Sequence, residues 1–155
     1  MATIEKKEVK VGKFVSSGHV DTLKRNYKEK RWAENSKRIG KPDSLSVWFS
    51  LEDMETFLQQ LKAHGGNGIR FYFGAYDEAF AEKPLYAGRQ TIVMVGTKDK
   101  EGRATKDLYI QSGENTSILA YNLGRLCPPI CQSGDGLDDI GMVITDKGDE
   151  GLIVV

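Results

Sequence analysis

No run of apolar residues in this sequence approaches the roughly 18 that a helix needs to cross a bilayer. The opening stretch, Met1-Ala2-Thr3-Ile4-Glu5-Lys6-Lys7, has none of the apolar core of a secretory signal, so the cytoplasm is the expected address. Net charge is missing too: 22 basic residues balance 22 acidic ones. Nothing global therefore draws the chain to nucleic acid or to an anionic membrane surface. Cysteine is scarce, with only Cys127 and Cys131, and so is histidine, with only His19 and His64. A tetrahedral zinc site wants four ligands and would consume all of these from unrelated segments, so no metal and no cofactor is expected.

Motifs of established chemistry are also lacking. Asp135-Gly136-Leu137-Asp138-Asp139 has the ingredients of a calcium loop but neither its oxygen spacing nor its distal Glu. Gly65-Gly66-Asn67-Gly68 lies after a helix and before a strand, the reverse of a phosphate cradle. Nothing places the Ser, His and Asp residues as a triad, and there is no internal repeat or low-complexity tract.

What is present is an ordinary globular composition over 155 residues, 39% hydrophobic and 28% charged. One domain of that size buries roughly 70% of the surface its unfolded chain exposes. The charges are placed unevenly. Lys24, Arg25, Lys28, Lys30, Arg31, Lys37 and Arg38 face only Glu29 and Glu34, while residues 135–150 hold six acids against Lys147. Such poles suit contact with each other or with a partner's opposite pole, although solvated faces are the commoner explanation.

The pattern predicts an α+β fold: a small antiparallel β-meander packed against one main amphipathic helix, with a preceding helix and a short later one. Residues 1–17 read as a frayed start or an edge strand. A helix capped by Ser16 or Ser17 begins near His19 and carries Val20, Leu23, Tyr27 and Trp32 on one face. Gly40-Lys41-Pro42-Asp43 breaks the chain, and Ser46–Phe49 is a short strand. Ser50-Leu51-Glu52-Asp53 matches a capping box. Leu51, Met54, Phe57, Leu58 and Leu61 then form one apolar face before Gly65-Gly66 ends the helix.

Three strands are expected at 69–76, 91–97 and 105–110, followed by a short helix between Asn115 and Leu123. In the first, Ile69, Phe71, Phe73 and Ala75 point toward the helix and Arg70, Tyr72, Gly74 and Tyr76 away from it. The acidic tail 132–155 offers edge strands at 142–144 and 152–155.

Two places suit chemistry. Arg70, Tyr72 and Tyr76, with Arg89 entering from the loop, combine guanidinium forks with aromatic faces, a set suited to a small anionic ligand or a peptide terminus. The plainer alternative is a solvated sheet face on which Arg70 pairs with Asp107 across strands. Cys127-Pro128-Pro129-Ile130-Cys131 suits a local disulfide, a redox pair or a soft-metal site. Its plainer alternative is a rigid loop of packed, reduced thiols.

Along Arg70–Tyr76, Gly88–Thr97 and Leu126–Cys131 the chain resembles a set of small bacterial proteins that share an Arg-x-Tyr-Phe-x-x-Tyr strand, an apolar strand ending in Thr, and a Cys-Pro-Pro-x-Cys loop. No activity is established for that set, so the resemblance carries over no catalytic role. Three readings follow. The first is a binding module whose Arg/Tyr face takes a protein or a small anion. The second is a thiol- or metal-dependent protein using Cys127 and Cys131. The third is a small enzyme without a recognisable motif. A homodimer fits an exposed meander edge; nucleic acid fits only the one basic helix.

Overall fold

The computed structural model describes residues 11–99 and 105–131, together with the backbone of Ile144–Asp146 and Leu152–Val154. Its order is α1 (Ser17–Tyr27), a π-helical turn (Lys28–Trp32), α2 (Ala33–Ile39), β1 (Ser46–Trp48), α3 (Leu51–Ala63), β2 (Gly68–Ala75) and β3 (Gln90–Lys98). Short strands β4 (Lys106–Asp107), β5 (Tyr109–Ser112), β6 (Asn115–Ile118), β7 (Ala120–Tyr121) and β8 (Arg125–Cys127) follow, then β9 (Ile144–Asp146) and β10 (Leu152–Val154). The α+β class holds: β2, β3 and β4 run antiparallel in that order, and β7 also pairs with β3. Among the described residues no helix is long and apolar enough to cross a membrane.

The main helix forms as its sequence dictates. Ser50 Oγ accepts from the Asp53 amide and the Asp53 carboxylate accepts from the Ser50 amide, the two reciprocal bonds of a capping box. Tyr121 donates to the same carboxylate at 2.5 Å and, with Ser50, holds it below the usual carboxylate range. Its contribution to stability is therefore present above the ordinary carboxylate pKa and is lost as pH falls through the lowered value. Phe57 and Leu61 are buried against β3 and β7. The Phe57 ring stands 5.9 Å from that of Tyr121, and a Cβ on Gly96 would lie 2.7 Å from Leu61 Cδ1. Gly96 lets the helix approach the sheet.

Register assigns the faces. Phe71 pairs with Met94, which pairs with Tyr121, so these three side chains share the α3 face. Arg70 opposite Val95 and Asp107 opposite Thr97 share the other. The alternation expected of β2 is thus correct, but the expected packing is not. Helix α3 sits over β3 rather than β2, leaving Phe71 52% and Phe73 82% exposed.

Other expectations need correction. The short helix placed between Asn115 and Leu123 is instead β6 and β7, with β6 closing a hairpin on β5 through a turn at Gly113 (φ 62°). The third strand expected at 105–110 is interrupted at Leu108, whose amide donates to Gly96 O. The first helix begins at Ser17 on a Ser16 cap and continues past Trp32 to Ile39, ending at left-handed Gly40 (φ 73°). It buries none of its residues; the contiguous apolar face expected of Val20 and Leu23 is solvent-facing.

Its anchors are polar instead. Tyr27, the last residue of α1, and Trp32, the last of the π turn, donate to Gln90 Oε1 (2.6 Å) and Asp43 O (2.7 Å). The two tail strands pair with each other as a separate two-stranded sheet rather than adding to the meander. Residues 1–10 and the Asp135–Asp139 stretch lie outside the described residues.

Candidate functional site

The four side chains expected to form one recognition face are divided among three local networks. Arg70 Nη1 meets Asp107 Oδ1 at 2.8 Å, and the Tyr72 hydroxyl donates to Asp107 Oδ2 at 2.6 Å. Arg70 also donates to the Tyr72 oxygen at 3.2 Å and to Thr105 O at 3.3 Å. Tyr72 foremost, with Asp107 adding to it, keeps this guanidinium protonated above its ordinary pKa. The cross-strand pairing expected of a solvated sheet face is therefore present, and it engages the fork of Arg70 and the phenol of Tyr72. With Arg70 39% exposed, solvent screens the pair. Arg70→Ala and Asp107→Asn each lower stability only slightly, and the double variant by less than their sum. Urea denaturation of the four-member cycle checks this.

Tyr76 is elsewhere. Its hydroxyl donates to Asn122 Oδ1 at 3.0 Å and accepts from Thr91 Oγ1 at 3.3 Å, while its ring stacks on Phe80 at 4.7 Å. Arg89 does not enter from a loop toward solvent. It is 7% exposed, donating from Nε to Leu85 O and from Nη1 to Pro42 O. Burial depresses its pKa, and the facing Asp43 charge partly restores it. Cys127 and Cys131 are joined as a disulfide across a Cα–Cα separation of 4.8 Å, rather than packed as separate thiols.

The arrangement leaves a different surface open. Strand β2 pairs on one side with β3, and no described strand pairs with its other side. Gly96 directs its amide to Leu119 O and its carbonyl to Leu108 N, away from β2. Its partner Ile69 therefore stands in a non-hydrogen-bonded pair, and by the alternation of an antiparallel ladder Phe71, Phe73 and Ala75 do as well. The N–H and C=O groups of these four residues point outward along the free edge.

Natural sheets guard such edges with lysine, proline or a bulge. Strand β2 has neither residue, its register is unbroken, and its one cation is paired to Asp107. At the Ala75 end the edge runs into a groove of about 310 Å³ lined by Asn35, Arg38, Phe73, Gly74, Gly88 and Gln90. Nothing in the sequence sets Arg38, Phe73 and Gln90 apart as a site. Arg38 is one cation in a basic run, and Phe73 sits on the strand face expected to be covered.

No family model matches this chain, and neither the curated proteins nor the solved structures offer a match. Its functional reading rests on geometry.

Proposed function

We propose that this protein is a binding module that captures an extended peptide segment as an added strand along the free edge of β2. The observation that carries the reading is an eight-residue, unbulged edge with two exposed phenylalanines beside outward backbone groups. Backbone bonds to Ile69, Phe71, Phe73 and Ala75 supply affinity in this mode, and side-chain pockets supply selectivity. The paired Arg70–Tyr72–Asp107 network stiffens the opposite face. It supports the recognition strand rather than forming the recognition surface itself.

The partner's chemistry follows from the flanks. A segment with alternating apolar side chains covers Phe71 and Phe73. Negative charge on it complements Arg38 and the basic helical rod that ends beside the groove.

The test is selection of displayed random heptapeptides on the full chain. Enrichment of alternating apolar, acidic sequences is expected, together with slowed amide exchange at Phe71 and Phe73. In a Phe71→Glu/Phe73→Glu variant, capture of the enriched peptides falls by about a hundredfold while the exposed positions keep the fold intact. The reading fails if no sequence enriches, if the variant still captures the peptides, or if β2 proves to be occupied by a second copy of the chain.

A further inference from the structure

The groove at the end of β2 has features that strand addition does not use. Arg38 lines the groove wall, and among the described residues its five N–H donors meet no other residue's side chain. Gln90 is oriented: its Oε1 accepts from the Tyr27 hydroxyl at 2.6 Å and from Asn35 Nδ2 at 3.5 Å. Its Nε2 donors are left without an acceptor among the described residues.

One carboxylate also lines the groove, that of Asp43, and its Oδ1 is turned to the backbone. Its Oδ1 accepts from the Ser44 and Gln90 amides at 2.8 and 2.6 Å, and the buried Arg89 guanidinium faces it. Among the described residues no ion pair joins this carboxylate to Arg38. Phe73, the most exposed ring of β2, supplies an apolar wall, and left-handed Gly88 (φ 74°) keeps the floor free of a side chain.

We propose that this groove is a carboxylate-binding site, with Arg38 as the cation, Gln90 as the neutral donor and Phe73 as the wall for the ligand's carbon body. A single guanidinium matches a singly charged, planar carboxylate by its two-pronged geometry, where a phosphate dianion calls for more positive charge. The volume of about 310 Å³ lies near the lower bound of small-ligand clefts and fits a one-ring acid rather than a nucleotide. The carboxylate has two sources: a free small acid, or the end of an extended peptide lying on β2. The second source rests on the strand-addition reading and the first does not.

The experiment titrates the full chain with benzoate and with its neutral isostere benzamide, followed by calorimetry and by amide shifts of Gln90 and Gly88. Benzoate is expected to bind about tenfold more tightly than benzamide, the worth of one charge-assisted contact. Arg38→Gln erases that preference and Arg70→Gln leaves it unchanged. Equal binding of the two probes, no binding of either, or a preference that survives Arg38→Gln overturns the site.

A heptapeptide ending in Phe, with free or amidated C-terminus, separates the sources. If the free form binds more tightly than benzoate and slows exchange along β2, the ligand is a peptide end. If it binds no better than benzoate, with β2 exchange unchanged, the ligand is a free acid, and strand addition fails while the groove stands.

Discussion

Replacing Asp43 with alanine lowers the free energy of unfolding by about 3 to 5 kcal/mol. Asp43 is only 3% exposed, and its Oδ1 accepts from the amides of Ser44 and of Gln90, the first residue of β3. Its backbone is used as well: its carbonyl accepts from Trp32 Nε1, and its amide donates to Ser36 Oγ at 2.8 Å. One residue thus ties α2, the approach to β1 and the start of β3 together. Truncation strands two amides and removes the charge that faces the buried Arg89 guanidinium. Asp43→Asn keeps an acceptor but loses the charge, and costs about 1 to 2 kcal/mol. Urea denaturation of both variants at neutral pH checks the pair. Equal losses in the two would assign the whole effect to the charge opposite Arg89 rather than to the hydrogen bonds.

Phe57→Ala is the second large effect, with an expected loss of about 3 to 5 kcal/mol. Phe57 is 2% exposed and carries the ring contact between α3 and Tyr121, beside the Tyr121–Asp53 hydrogen bond, while Leu61, one turn on, occupies the space that Gly96 leaves. The cavity cannot collapse readily, because Leu61 is already held against Gly96 and Gly66. Phe57→Leu retains most of the buried volume and costs about 1 kcal/mol. Thermal unfolding followed by circular dichroism measures both. A loss below about 1 kcal/mol for Phe57→Ala would mean that α3 is not docked through this ring.

These two positions differ in how visible they were. Phe57 belongs to the three-and-four spacing of α3, and its burial follows from that rhythm and from the Ser50–Asp53 cap. Asp43 sits in a breaker segment, Gly40-Lys41-Pro42-Asp43, where sequence marks only a turn. Its role comes from Gln90, 47 positions away. Arg89 shows the same limit. A cation in a Gly-rich loop reads as a solvent-facing group, yet the fold buries it against the carbonyls of Pro42 and Leu85. The stretch from Asn115 to Leu123 patterns as a short helix, yet Asn115–Ile118 pairs with β5 across Gly113 and is a strand.

By itself the sequence determined the local elements: the capped helix α3, the alternation of β2, the apolar run of β3 and hence the α+β class. Each is encoded by spacing and capping within a dozen or so neighbours. Only the tertiary structure decided where α3 came to rest. Gly96 and Tyr121 drew it over β3, so β2 has no described strand on its outer side and exposes Phe71 and Phe73, while Asp107 engaged Arg70 and Tyr72. Periodicity says which way a side chain points, but whether anything covers it depends on packing against residues far along the chain.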